Sequence, residues 1–377
     1  MIYLDNAATS FPKPKAVLDA MAGSASKLAA NPGRSGHRMS LAAGRVIVNC
    51  RETLAQLLQV DKPEQIVFCF NCTDAINMAI HGLLQPGDHV ITTAMDHNAV
   101  LRPLHGLQAR GVISLDIITP EEDGCVTASQ IENAFKPTTR LVVCTHASNV
   151  TGAIQPVEEI GRLCRKKGVY FLLDAAQTIG ILPVHPKTLQ ADMVAFPGHK
   201  ALLGPMGTGA LWIREGIELT PFREGGTGSA SESPYQPNEM PDRYESGTLN
   251  LIGIAGLMQG VRYVLARGTQ IHQHEQTLSH RLLQGLSCIP FIQAYVPKGA
   301  HTGIVSFNFA GKTSGEIAEL LDQKGFGVRA GLHCAPLAHK TLGTMDIGAV
   351  RVSAGFFNTT AEIDRLIDTL QQIASRI

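Results

Sequence analysis

The chain has no excess of charge of either sign: 32 Lys and Arg balance 32 Asp and Glu. A neutral balance leaves no electrostatic footprint for nucleic acid, and no polybasic run marks a lipid surface. Long hydrophobic runs are missing too. The longest uncharged, largely apolar stretch, around Thr248–Val261, is too short for a bilayer and is broken by polar residues. Met1-Ile2-Tyr3-Leu4-Asp5 shows no basic start ahead of an apolar core, so no secretory leader is expected. The eight cysteines lack the spacing of a disulfide scaffold, which predicts reduced thiols and a cytoplasmic protein. Cys69 and Cys72 do spell CxxC. No second pair exists and Cys69 sits in a strand-like run, so no metal or redox role is expected there. No internal repeat or low-complexity tract is visible.

What is present fits a soluble α/β enzyme: 377 residues, 44% hydrophobic, with 37 glycines. A chain of this length buries about three-quarters of its unfolded surface. It exceeds the usual single core, so two domains are expected. Residues 1–15 read as an extended arm, followed by a helix from about Val17. A loop at 30–38 is rich in turn formers and cations, Arg34 among them. A helix follows over Ser40–Leu58. Strands and helices then alternate, the pattern of a mostly parallel sheet. The strands are Ile66–Phe70, His89–Thr93, Ile113–Ile118, Leu141–Thr145, Val169–Leu173, Met193–Phe196 and Ala210–Ile213. The helices between them are Thr73–Leu84, Ala99–Ala109, Ala128–Phe135 and Val157–Lys167. After Thr248 two helices are expected, Leu249–Arg267 and His272–Leu286, then strands near Phe291–Val296 and Thr302–Phe309. Thr127-x-x-Gln130, Thr313-x-x-Glu316 and Thr359-x-x-Glu362 have the capping-box pattern of helix starts. The expected division is a large domain over 16–255 and a small one built from 1–15 and 256–377.

Chemistry gathers at the predicted strand ends. Phe196-Pro197-Gly198-His199-Lys200 turns the chain at one, where α/β sheets place ligands. The Gly/Pro-rich segment that follows lets backbone approach a ligand. A lysine there can lose solvation and lower its pKa, as a Schiff-base amine needs. A surface lysine on a glycine-rich loop is the plain alternative. Asp174 ends the apolar strand one supersecondary step earlier. Such a carboxylate needs a partner, and a protonated pyridine nitrogen would be one. Gln177 could donate to a ring hydroxyl; a helix N-cap is the ordinary reading of Asp174. Phe70 to Ala75 runs strand, small polar residues, helix start, which suits a phosphate at Thr73 or plain capping by Asn71 or Thr73. His97 could stack on an aromatic cofactor and move protons near neutral pH, or be a polar loop residue. Cys334 follows a glycine-bearing turn, where Arg329, His333 and a helix start would favour its thiolate; burial as a small hydrophobe is the common alternative. Arg351 alternates with apolar residues on a strand, as a carboxylate-binding arginine would, with Asn149 a second donor.

In order and spacing these stretches resemble the class V aminotransferase superfamily of fold-type I enzymes, which use pyridoxal 5'-phosphate. More narrowly, they are similar to SufS-type cysteine desulfurases/selenocysteine lyases. The resemblance rests on Leu4 to Thr9, Asp96-His97, Ser148-Asn149, Asp174 to Gln177, Gly198-His199-Lys200, Ser246-Gly247-Thr248 and Arg329 to Ala335. It implies a large domain with a mostly parallel seven-stranded sheet and a smaller α+β C-terminal domain. It implies that Lys200 holds the cofactor and moves the Cα proton, that Asp174 pairs with the ring nitrogen and Gln177 with the ring oxygen, and that His97 stacks on the ring. Thr73 and His199 would bind the phosphate, with Asp74 in the same cofactor site. Thr248 would reach the phosphate of a second subunit in a homodimer. Asn149, Arg351 and Arg329 would hold the carboxylate of cysteine or selenocysteine. Cys334 would take the sulfur as a persulfide, release alanine and pass the sulfur to an acceptor protein. Pro197, Cys72 and Leu332 stand where the resembled family often has serine, threonine or serine, and histidine. They leave the cofactor expectation intact and bear on the sulfur acceptor and the sulfur-versus-selenium preference. An aminotransferase or other lyase on the same fold is the main rival reading, and a sulfur carrier without turnover the third. No metal is expected.

Overall fold

The computed structural model describes residues 1–33, 35–122 and 124–375. Arg34 of the 30–38 loop lies outside the described residues. The chain opens with β1 (Ile2–Tyr3), α1 (Lys15–Lys27) and α2 (Arg38–Leu58). It continues through β2 (Ile66–Cys69), α3 (Cys72–Leu83), β3 (His89–Thr93), α4 (Asn98–Ala109), β4 (Ser114–Ile118) and α5 (Ala128–Asn133). Then come β5 (Thr139–Thr145), α6 (Val157–Lys167), β6 (Tyr170–Asp174), α7 (Pro186–Leu189), β7 (Met193–Pro197) and β8 (Gly209–Ile213). The remainder is α8 (Leu251–Ser287), β9 (Ile292–Ala294), β10 (Ile304–Phe309), α9 (Ser314–Gln323), β11 (Phe326–Gly327), β12 (Arg329–Gly331), α10 (Pro336–Thr341), β13 (Ala349–Ser353) and α11 (Thr360–Ala374).

Seven strands form one sheet in the order β2-β8-β7-β6-β5-β3-β4. Only β8 runs against its neighbours; the other pairs are parallel. Strands β5, β6 and β7 are almost wholly buried, because helices cover both faces, and so they read as unbroken apolar runs. Two cores result, one on each face, around Phe171 and Phe196 and around Leu172 and Met193. The three capping boxes at Thr127, Thr313 and Thr359 all form.

A second unit packs the antiparallel sheet β12-β13-β10-β9 under α9 and α11. The N-terminal arm joins it: β1 pairs with β11, and Leu4 is buried in its core. The two helices expected after Thr248 are one helix of 37 residues. Gly268 lies at the expected break. A glycine inside a helix costs about 1 kcal/mol, too little to end one with long apolar faces on both sides. Leu257 and Val261 of α8 sit in the large core, while Leu278, Leu282 and Leu286 sit in the small one. No helix among the described residues is long and apolar enough to cross a membrane. The same residues hold no cluster of three or more His, Cys, Asp or Glu fit for a metal ion.

Candidate active site

The carboxyl ends of β2, β3, β5, β6 and β7 open into one cavity of about 230 Å³, closed from above by β12, β13 and the Cys334 turn. Asp174 is the last residue of β6 and is 3% exposed. Its Oδ1 accepts the Ala176 N–H at 2.9 Å and the Cys72 thiol at 3.5 Å. Burial pushes its pKa up, and Lys200 pulls it back. Lys200 follows β7, the parallel neighbour of β6. Burial pushes its amine down, while Asp174 opposes that shift.

The turn that presents Lys200 is fixed by close packing. A Cβ at Gly198 would lie 2.2 Å from Thr208 Oγ1, and one at Gly204 would lie 2.8 Å from the Gly198 carbonyl. The glycines that sequence reading assigned to ligand approach therefore serve contact between the turn, Thr208 and α8. The N-terminal arm finishes the turn. The Ser10 hydroxyl donates to the Lys200 carbonyl at 2.8 Å, and Lys13 Nζ donates to the His199 carbonyl at 2.8 Å. Sequence reading missed Ser10 and Lys13, since no motif signals a cap supplied from nearly two hundred residues away.

His97 caps α4: its Nδ1 accepts the Ala99 N–H at 3.0 Å. Burial, then the charge of Lys200, pushes its pKa down to about 4. The ring is thus neutral at pH 7 with its proton on Nε2. Thr73 stands in the first turn of α3 and lines the cavity; Asn71 caps that helix through Asp74 N–H at 2.9 Å. His199 lines it as well, with a buried Nδ1 that has no hydrogen-bond partner among the described residues. Gln177 lines it while donating to the Ala7 carbonyl at 3.2 Å. Asp74 and Thr248 do not line it. Asp74 Oδ2 accepts from the Phe70 N–H and Arg223, both at 3.0 Å. Thr248 is exposed, in a separate groove with Arg223 and Phe70.

Arg329 and Arg351 are direct cross-strand partners. Two guanidiniums so placed repel, and Asp5 lies between them, 2.7 Å from Arg351 Nη2 and 3.9 Å from Arg329 Nη1. Arg351 also donates to the Asn149 carbonyl at 2.9 Å, and its buried Nε has no hydrogen-bond partner among the described residues. Sequence reading had no signal that Asp5 offsets one charge of this pair. Cys334 is exposed to the cavity. His333 and Cys334 both have left-handed backbone, φ +51° and +55°, a strained turn held by neighbours. Asn98 N–H donates to the Cys334 carbonyl at 2.7 Å, as does Asn149 Nδ2 to that of His333. Burial and then Arg351 push His333 down to about 3. It is a neutral ring, so it does not supply the positive charge expected beside Cys334.

A family model described as Aminotransferase class-V matches residues 2–366. The chain belongs to the class V aminotransferase family. Among curated relatives of this family member, a probable cysteine desulfurase of Methanothermobacter thermautotrophicus is 37% identical over 99% of this chain and 94% of its own. A cysteine desulfurase of Escherichia coli is 33% identical over 99% of this chain and 93% of its own. An apo cysteine desulfurase from Thermococcus onnurineus superposes with a TM-score of 0.94 at 34% identity, covering 100% of this chain and 95% of that one.

The class V aminotransferase family implies pyridoxal 5'-phosphate, and the residues fit it. A buried acid, Asp174, has one N–H and one thiol for partners and shares the cavity with a desolvated lysine. The cavity also meets the first turn of α3 and a His199 Nδ1 that is buried without a hydrogen-bond partner among the described residues, groups suited to an anion.

Proposed function

We propose that this protein is a cysteine desulfurase that uses pyridoxal 5'-phosphate to release alanine from L-cysteine. One observation carries the reading: Lys200 and Asp174 from the large sheet and an exposed Cys334 from the opposing unit share one cavity. Transamination has no use for that thiol. Lys200 would hold the cofactor through its amine, Asp174 its ring nitrogen, Gln177 its ring oxygen, and Thr73 and His199 its phosphate. His97 would lie against the ring. When bound, the cofactor supplies an electron sink. Lys200, with its lowered pKa, moves the proton at the substrate Cα. Arg351, Arg329 and Asn149 hold the substrate carboxylate. The Cys334 sulfur bonds to the substrate sulfur as the carbon–sulfur bond breaks. The electron pair stays with carbon, which is protonated to give alanine. The persulfide is then open to a second thiol, so an acceptor protein takes the sulfur from the exposed turn. Selenocysteine is a second candidate substrate.

The same reading divides the chain at 16–255 and at 1–15 with 256–377, with α8 crossing the division, since its Leu257 and Val261 still pack in the large domain. It makes the protein a homodimer in which Thr248 reaches the partner's cofactor phosphate. Exposed Met39, Leu41 and Val48 on α2, and Phe70, support an apolar interface. The eight cysteines, without the spacing of a disulfide scaffold, support a reducing, cytoplasmic setting. The deciding experiment incubates the pure protein with L-cysteine, measures alanine, and alkylates the product. Alanine with the extra sulfur on the Cys334 peptide is the expected result; alanine with an unmodified Cys334 overturns it.

A further inference from the structure

The cavity wall carries more positive charge than it offsets itself. Its charged residues, among those described, are Lys200, Asp174, Arg329 and Arg351. Lys200 and Asp174 act on each other as opposite charges. The histidines of the wall are neutral: burial holds His97 and His199 at about 4 and His333 at about 3. No acid on the wall is left for the two arginines. Theirs stands behind the wall, in the N-terminal arm. Asp5 does not line the cavity.

The arm fixes that acid in place. Leu4 is buried in the small core, and Asp5 forms a parallel bridge with Ser353, two residues beyond Arg351 on β13. The Asp5 carbonyl accepts the Tyr3 hydroxyl at 3.0 Å and the Ala8 N–H at 3.1 Å. Its carboxylate meets the arginines unequally. Arg351 is 2% exposed, a charge that would be costly to bury alone, and its Nη2 donates to Asp5 Oδ1 at 2.7 Å. Arg329 faces it across the strands, keeps 43% of its side chain exposed, and stands 3.9 Å from Asp5 Oδ2, too far for a hydrogen bond. Among the described residues no other acid pairs with either arginine. One carboxylate thus serves two guanidiniums, and one positive charge is left over.

We propose that Asp5 is a positioning residue that sets the charge of the carboxylate site: it holds the arginine pair at one positive charge in excess, so that the cavity selects ligands with one negative charge over ligands with two. The proposal rests on the reading of Arg351 and Arg329 as the carboxylate ligands. It names the substrate class that site prefers, an amino acid with an uncharged side chain over an amino dicarboxylate. A fixed negative charge behind the site is a repulsive element of the kind that specificity requires, because it weakens a second ligand charge more than it weakens the wanted contact.

The test measures binding by calorimetry in the full-length, cofactor-loaded protein at fixed ionic strength. The probes are propionate, one carboxylate on a short apolar chain, and succinate, which adds a second. Asp5→Asn keeps an oxygen for Arg351 Nη2 and removes only the charge. It should bind propionate about tenfold tighter, the order expected for one unit charge a few ångströms away in a partly wetted site. Succinate should gain more, so that the ratio of the two affinities moves toward succinate by about threefold or beyond. A purely structural tie would not move that ratio, and an unchanged ratio overturns the proposal. If Asp5→Asn does not fold, the parent decides: succinate should bind it no more tightly than propionate, and a preference for succinate overturns the proposal. Arg351→Ala separates the two failures. Propionate binding that survives it overturns the carboxylate reading itself, whereas an unchanged ratio in Asp5→Asn, with propionate binding lost in Arg351→Ala, overturns the role of Asp5 alone.

Discussion

Asn149 Nδ2 donates to the carbonyl of His333 at 2.7 Å. The proposed carboxylate ligand is thus also the tether of the cysteine turn. Arg351 binds the Asn149 carbonyl in turn, so three groups around the substrate hold one another. Asn149→Ala should therefore act on two parameters at once. KM for cysteine should rise and kcat should fall, each about tenfold, as a charged-partner hydrogen bond and a fixed nucleophile are lost. Hydrogen exchange over residues 330–336 should speed up in the same variant. A change in KM alone would show that the tether carries nothing.

Lys200 is desolvated at the cavity wall with Asp174 as its counter-charge. Lys200→Ala should abolish the visible absorbance of bound pyridoxal 5'-phosphate and all alanine formation. A variant that still forms alanine at the parent rate would remove Lys200 from the chemistry.

Cys72 gives the Asp174 carboxylate one of its two hydrogen bonds among the described residues. Cys72→Ala should weaken cofactor retention roughly fivefold, since a thiol donor is worth about 1 kcal/mol. Cys72→Ser should hold the cofactor at least as well as the parent. The check is the rate of cofactor loss on dilution, followed by absorbance. Equal loss from the alanine and serine variants would mean that the thiol merely fills space.

Thr248 is exposed beside Arg223 and away from its own cavity. Sedimentation should show a dimer, and Thr248→Ala should lose cofactor faster without changing the sedimentation coefficient. A fully loaded monomer would refute the shared site.

Much of this was legible in the sequence, for physical reasons. Buried strands such as β5 and β6 announce themselves as apolar runs, and capping boxes at Thr313 and Thr359 need only local pairs. Sequence order also placed Lys200, Asp174, His97 and Thr73 at strand ends, which a parallel sheet gathers at one edge. What escaped depends on distance through the fold. Asp5 between two arginines and Ser10 under Lys200 are contacts of sequence-remote residues. The charge state of His333 depends on burial, which a motif does not report. The single helix α8 escaped because a lone glycine reads as a break while two packed faces override it.

His146 offers a clean test of how burial sets the pH response. It follows β5, is 5% exposed, and its Nδ1 has no hydrogen-bond partner among the described residues. Burial alone lowers its pKa from 6.5 to about 4. The folded protein thus keeps the ring neutral where the unfolded chain has begun to protonate it. Above pH 6.5 both states are neutral and the residue is indifferent to pH. As pH falls from 6.5 toward 4 the unfolded chain takes up a proton that the fold refuses, so stability drops over that window. Asp96, held up at about 7 by burial, works in the opposite direction over much of the same range, so the parent profile alone would not isolate the histidine. The difference between parent and His146→Gln does. The glutamine variant should start below the parent at pH 7, because it repacks a buried site, and close that gap as pH falls through 6.5 to 4. Melting temperatures measured at matched ionic strength supply the check. A gap that stays constant with pH would mean that His146 takes up its proton over the same range folded and unfolded, and a gap that widens as pH falls would mean that the folded ring has found a partner for its charge.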